Sequence, residues 1–224
     1  MTRDASQRTI RVGIVGLGGI GHHHAERIAD AAGQLVGGVD INPDARSRFA
    51  SAYGVPTFET FDALYDEGID AAIVTTPNKF HEEYAVQALE SGVDVLLEKP
   101  LADTLESAER IAEAARDTEA FCMVGFNNRF SPAVEVFKSY QREGRFGELT
   151  HVEANWVRRR GIPGRGSWFT AEEVSGGGAL LDIGVHAIDL ALHFLDFPDV
   201  VEVTGDTRSE FGDREDYTYL EMYG

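Results

Sequence analysis

Apolar residues in this chain fall into short continuous runs, separated by longer stretches in which they recur every three or four positions. The run "IRVGIVG" at 10–16 opens the alternation. Its branched side chains, closed by glycine, form the pattern of a strand buried on both faces. Residues 20–31 then have helical periodicity, and "QLVGGVD" at 34–40 repeats the strand pattern. Asn42 stands where an N-cap belongs, Pro43 at the first helical position and Gly54 just past the end, so a second helix is expected between them. "DAAIVTT" and "VDVLLEK" predict two further strands, joined by a helix within "FHEEYAVQALESG". Thr104 caps a long helix reaching about Thr118, and "AFCMVGF" is the last strand of the series. Strands alternating with helices in this way predict a doubly wound α/β domain with a parallel sheet over residues 1–125.

The pattern changes after residue 125. A helix is expected from about Pro132 to Glu143, followed by "LTHVEANWV", where Val152, Ala154 and Trp156 share one face of a half-buried strand. An arginine- and glycine-rich loop leads to "SGGGALLDIGVHAIDLALHFL", which reads as one helix with a glycine-rich start. "DVVEVTGDT" and "DYTYLEMY" follow as strands, so residues 126–224 predict a smaller α+β domain with an open, largely antiparallel sheet.

With 224 residues, 43% of them hydrophobic, the chain can bury cores in both domains. No apolar run approaches the length of a membrane span, and the first ten residues carry no hydrophobic signal region, so a cytoplasmic protein with no membrane partner is expected. Cys122 lies in an apolar strand and reads as a buried, inert thiol. Charge changes the picture more. With 38 acidic and 20 basic residues the formal net charge is −18, which argues against nucleic acid as a partner. Only Lys79, Lys99 and Lys138 among the basic residues are lysines. An acidic surface with scarce lysine suggests salt adaptation; an ordinary acidic enzyme is the competing reading.

The first chemical candidate is "GLGGIGHHHA", a G-x-G-x-x-G spacing set between a predicted strand and a predicted helix. In that setting Gly16 permits the tight turn, Gly18 lets the backbone approach a pyrophosphate, and Gly21 allows close packing of a helix whose N-terminus attracts anions. Asp40 ends the second strand, where its carboxylate can accept hydrogen bonds from ribose hydroxyls. A dinucleotide is therefore expected. The adjacent His22, His23 and His24 point about 100° apart on a helix and cannot converge on one ion, so no metal site is assigned to them.

Asp182 and His186 lie one turn apart on one helix face, where a carboxylate can orient an imidazole and raise its basicity. The pair reads equally as a polar helix face, and Asp189 with His193 continues the stripe in a way that leaves a metal site open. Lys99 in "VLLEKP" falls at the carboxyl edge of the sheet, where open α/β folds bind ligands, and a cis bond before Pro100 is one option there.

Taken together these segments resemble the glucose-fructose oxidoreductase / inositol dehydrogenase (Gfo/Idh/MocA) family. "GLGGIGHHHA" resembles its G-x-G-x-x-G-x-x-H-A, "TTPNKFH" its Thr-Pro-x-x-x-His segment, "LEKP" its E-K-P signature, and "GGGALLDIGVHAIDL" its G-G-G-x-x-x-D-x-G-x-H-x-x-D-L segment. The resemblance implies that Lys99, Asp182 and His186 are catalytic. It also implies a cofactor set of Gly16, Gly18, Gly19, Ile20, Gly21, Asp40, Thr76, Pro77, Asn78, His81, Glu98 and Lys99, with NAD the first candidate and NADP the second. The implied reaction is hydride transfer between the cofactor and a secondary alcohol of a sugar, inositol or related polyol. Asn127, Arg129, Arg158, Arg165 and Trp168 are candidates for substrate contacts. A non-catalytic, dinucleotide-dependent sensor of the same fold is the alternative. Two departures stand out: "GFNNRF" has Asn128 where members often carry a second arginine, and the second domain is shorter than the resemblance implies. A truncated chain is expected, forming a homo-oligomer through the C-terminal sheet when full length.

Overall fold

The computed structural model describes residues 9–31, 33–157 and 167–208. Contacts divide the chain into two units, Met1–Gly125 with Glu173–Gly177, and Phe126–Glu172 with Gly178–Gly224.

In the first unit β1 (Ile10–Val15), β2 (Gly33–Val39), β3 (Thr57–Phe58), β4 (Ala71–Val74), β5 (Asp94–Leu97) and β6 (Cys122–Val124) form one sheet in the order β3-β2-β1-β4-β5-β6. All pairings are parallel. The order reverses at β1, so the carboxyl ends of β1 and β4 border the crevice where such sheets bind ligands. Helices α1 (Gly19–Ile28), α2 (Pro43–Tyr53), α3 (Phe61–Tyr65), α4 (His81–Glu90) and α5 (Leu105–Asp117) cover its faces. Val12 and Ile14 turn to one face with Ala25, Ile28 and Phe49, while Val15 turns to the other with Leu64, Leu89, Leu97 and Ile111. That alternation is the period of two of an extended chain.

Local signals place the helix ends. The Asn42 side chain accepts the Asp44 amide at 2.9 Å, and Gly54 closes α2 with φ 67° and its amide on the Ala50 carbonyl. Thr104 caps α5 by accepting the Ser107 amide at 3.1 Å. The pattern of apolar positions did not predict β3 or α3, which are two and five residues long, too short to show a period. Glycine leaves room for α3: a Cβ on Gly13 or Gly37 would lie 2.7 or 3.0 Å from the Leu64 side chain. Burial pushes the Cys122 thiol above its ordinary value, in keeping with an inert role.

In the second unit α6 (Pro132–Arg142) packs with α8 (Val185–Phe194). Phe137 meets Phe194 edge-on at 4.8 Å, and Gln141 donates to the Phe194 carbonyl at 2.6 Å. The buried Lys138 donates to Asp196 at 2.6 Å.

Three expectations need correction here. Among the described residues 149–157 and 199–207 form no strand, and the only sheet is the parallel one. A strand requires a neighbour to satisfy its backbone. Val157, Val201 and Val203 are 91%, 96% and 83% exposed, and among the described residues no strand lies beside either segment. The strand expected at 216–223 lies outside the described residues. The single helix expected over 175–195 is broken into α7 (Glu172–Ser175), a turn, a π-helical turn at Leu180–Gly184, and α8. Gly176 breaks it: its φ is +76°, and a Cβ there would lie 2.6 Å from the Asp103 carbonyl oxygen. The stretch Glu172–Phe194 is nevertheless long and apolar enough to cross a membrane by length and composition, contrary to the expectation that no run is, although it contains this turn and carries Asp182 and Asp189.

Candidate functional site

At the carboxyl end of β1 the chain turns sharply through Gly16, whose φ is +95° and whose amide donates to the Val39 carbonyl at 2.8 Å. A Cβ on Gly21 would lie 2.2 Å from the Gly16 carbonyl oxygen, so only glycine lets α1 pack this closely. Gly18 and Gly19 face open space, Ile20 is half exposed, and the N-terminus of α1 has no side-chain cap. Its amides and partial positive charge are therefore available to an anion. Asp40 is fixed from both sides: one carboxylate oxygen accepts the Leu17 amide at 2.9 Å and the other the Asn42 amide at 2.8 Å. Each oxygen keeps a second lone pair for a ribose hydroxyl. Beyond β4 the Thr76 hydroxyl oxygen is buried with no hydrogen-bond partner in the protein, a polar atom left for a ligand at the crevice. This arrangement of donors, open backbone and held carboxylate fits a dinucleotide.

Two residues expected to touch the cofactor are turned into the protein instead. Asn78 is buried and donates to the Ser175 carbonyl at 2.8 Å. His81 is 1% exposed, its ring nitrogens 2.9 Å from the carbonyl oxygens of Pro100 and Thr76. Both therefore build the wall of the crevice. Pro77 precedes them as the N-cap of the turn Asn78–Phe80, and the Lys99–Pro100 peptide is cis. Burial pushes the His81 imidazole below its ordinary value, outweighing the carbonyls and Glu98, which favour the proton. A depressed histidine keeps its full contribution to stability above its unfolded value of about 6.5, and loses it as pH falls through the folded value. The melting midpoint should therefore drop between pH 7.5 and 5, and His81→Gln should start lower and show a shallower drop. An unchanged slope in that variant would assign the acid sensitivity to other groups, of which His193 has the same direction of shift.

The three consecutive histidines separate as helical geometry requires. His22 packs on Phe49 and Tyr53 and hydrogen-bonds the Tyr53 hydroxyl, His23 is exposed, and His24 reaches Glu98 at 2.8 Å. Glu98 and Lys99 follow directly on the carboxyl end of β5. Burial pushes the Glu98 carboxyl up, but His24 and Lys99 outweigh it and hold the group below its ordinary range.

In the second unit the imidazole of His186 lies between two aromatic rings that sequence reasoning did not assign to it. Trp156 stacks on it at 5.6 Å and Phe126 meets it edge-on at 6.2 Å. Asp182 sits one turn earlier in the π-helical turn, where the Val185 amide reaches back to the Leu180 carbonyl. Such a turn inserts a residue and re-aims the side chains beside it. Arg129 was expected on the substrate. It forms a bidentate pair with buried Asp189, and its guanidinium lies over the Phe126 and Phe197 rings at 5.5 and 5.0 Å, so it serves the interior of this unit. Asn127 opens the turn Asn127–Phe130, and Trp168 stacks on Phe169 at 3.7 Å. Arg158 and Arg165 lie outside the described residues.

The model of an oxidoreductase family with an NAD-binding Rossmann fold matches residues 10–126, and that of the GFO/IDH/MocA C-terminal domain matches 134–223. The chain belongs to the Gfo/Idh/MocA family. Among its relatives a D-glucoside 3-dehydrogenase of Escherichia coli is 37% identical over 64% of this chain and 40% of that protein. A scyllo-inositol 2-dehydrogenase (NAD(+)) of Bacillus subtilis is 28% identical over 96% of this chain and 65% of that protein. The structure of levoglucosan dehydrogenase in complex with NADH and levoglucosan superposes with a TM-score of 0.78 at 28% identity, covering 84% of this chain and 54% of that one. The Gfo/Idh/MocA chain described here thus spans about half the length of the relatives it matches. Its first unit is an NAD-binding Rossmann domain.

Proposed function

We propose that this Gfo/Idh/MocA protein is an NAD-dependent dehydrogenase that oxidises a secondary alcohol of a sugar, inositol or related polyol. The observation that carries this reading is the carboxyl edge of one parallel sheet. It gathers the open glycine loop, the held Asp40, the unpartnered Thr76 hydroxyl and Lys99. The relatives act on polyhydroxylated rings by their names, which supports the substrate class.

When bound, NAD supplies the acceptor for the hydride that leaves the alcohol carbon. Gly18, Gly19 and the uncapped N-terminus of α1 would hold its pyrophosphate, and Asp40 its ribose hydroxyls. His186 takes the proton from the alcohol oxygen, and Asp182 orients the imidazole for that transfer. Lys99 Nζ would donate to the alcohol oxygen and stabilise the negative charge that develops as the proton leaves. Trp156, stacked on the His186 ring, shields that face from water, and the full-length protein forms a homo-oligomer through its C-terminal sheet.

The test is a polyol and sugar panel, assayed with NAD and with NADP in low salt and in molar potassium chloride. Reduced cofactor should form with at least one polyol. NAD should bind roughly tenfold or more tighter than NADP, about 1.4 kcal/mol, because Asp40 repels a 2′-phosphate. Arg46 offers that phosphate little relief, since its guanidinium already donates to the Asp40 carbonyl at 2.6 Å and the Ile41 carbonyl at 3.2 Å. Higher activity in molar salt is expected from a chain of net charge −18, whose self-repulsion salt screens. Tighter NADP binding would overturn the role of Asp40, and a panel without turnover would overturn the dehydrogenase.

A further inference from the structure

His24 lies on α1 three residues beyond the last glycine of the cofactor loop and is half-buried. Its Nε2 is 2.8 Å from one Glu98 oxygen, across 74 positions of sequence. The other Glu98 oxygen accepts the backbone amide of Lys99 at 3.3 Å. The same oxygen lies 3.4 Å from where a Cβ on Gly125 would be, so the carboxylate occupies the space that the missing side chain leaves at the end of β6. Only 24% of the Glu98 side chain and 21% of the His24 side chain are exposed, so the pair is largely withdrawn from water. A carboxylate so placed needs its hydrogen-bond partners, because an uncompensated buried charge either takes up a proton or moves to find a cation. Lys99 is a cation that already acts on it.

From this geometry we infer that His24 is a positioning residue for Lys99, acting through Glu98. His24 holds one carboxylate oxygen so that the other can fix the Lys99 amide, and with it the root of the lysine side chain at the crevice. Without His24 the carboxylate turns toward the Lys99 ammonium and draws it away from the alcohol oxygen. A displacement of about 1 Å at a reacting group costs up to roughly 10²-fold in rate. The inference rests on the catalytic reading of Lys99 given above.

The test compares His24→Ala, His24→Gln, Lys99→Ala and the double variant His24→Ala/Lys99→Ala in the active enzyme. Glutamine places a donor near the position of Nε2. His24→Ala should lower kcat roughly 10- to 10²-fold while NAD affinity, read by titration, changes less than about 3-fold. His24→Gln should recover most of the loss, and the double variant should be no slower than Lys99→Ala alone. A readout independent of turnover comes from the scarcity of lysine: with isotope-labelled dimethyl groups on the three lysines, the Lys99 resonance should move in His24→Ala and return in His24→Gln, with or without NAD. An unmoved resonance, or losses that multiply in the double variant, would overturn the inference. Equal losses in both His24 variants with parallel loss of NAD binding would instead make His24 part of the cofactor site. If Lys99→Ala keeps its turnover, the catalytic reading of Lys99 fails, while the resonance still decides whether His24 positions it.

Discussion

Replacing His186 by Ala is expected to lower turnover by roughly 10²- to 10⁴-fold, the usual contribution of a positioned acid or base, with NAD binding almost unchanged. Lys99→Ala should do comparable damage, since an ammonium aimed at a developing oxyanion contributes on the same scale. Asp182→Asn should fall between wild type and these two. It keeps a hydrogen-bonding side chain on the π-helical turn before α8 but removes the charge that raises the basicity of the imidazole. Steady-state rates with the best polyol, together with NAD titrations of each variant, measure all three. A folded, NAD-binding His186→Ala enzyme with near-normal turnover would leave Asp182 and His186 as a polar helix face.

The second large effect concerns the backbone. Gly21→Ala should abolish measurable NAD binding and destabilise the first unit, because the added methyl group would lie 2.2 Å from the Gly16 carbonyl oxygen. Contact at that distance cannot be relieved by a rotamer change. Either α1 moves away from the sheet or the turn at Gly16 opens, and both displace the amides that would hold a pyrophosphate. Overpacking of a rigid interior typically costs 1–3 kcal/mol, and a clash with backbone belongs at or above the top of that range. For a unit of this size the melting midpoint should fall by about 10 °C. Gly19→Ala is the control: nothing lies within 4 Å of its Cβ position, so stability should hardly change. Equal stability in the two variants would show that α1 is free to shift.

The features read correctly from sequence are those whose causes are local. Asn42, Pro43 and Gly54 mark the ends of α2 because capping and left-handed backbone are decided within a turn. The strands of the parallel sheet other than β3 were legible because they form continuous apolar runs, those of β1, β2 and β4 buried at their carboxyl ends. Side-chain destinations were less so. Asn78, His81 and Arg129 were each recognised as polar groups near a site, but their partners are the Ser175 and Pro100 carbonyls and the Asp189 carboxylate, 97, 19 and 60 positions away. No local pattern encodes such a partner. The His24–Glu98 pair escaped notice for the same reason, although both residues stood in quoted motifs. At 149–157 the alternation of apolar residues was real, but whether it becomes a strand depends on a neighbour that alternation cannot supply.

The pentapeptide Glu173–Gly177 packs with the first unit, through the Asn78 amide on the Ser175 carbonyl and the close approach of Gly176 to Asp103. During synthesis the nucleotide-binding half is therefore not finished when its last strand leaves the ribosome. Until residue 177 has emerged, some fifty residues later, the Asn78 side-chain amide is hydrated and lacks the Ser175 acceptor that it has in the folded chain. The Rossmann unit is completed by the chain that builds its neighbour, so assembly of the two is ordered in time as well as in space.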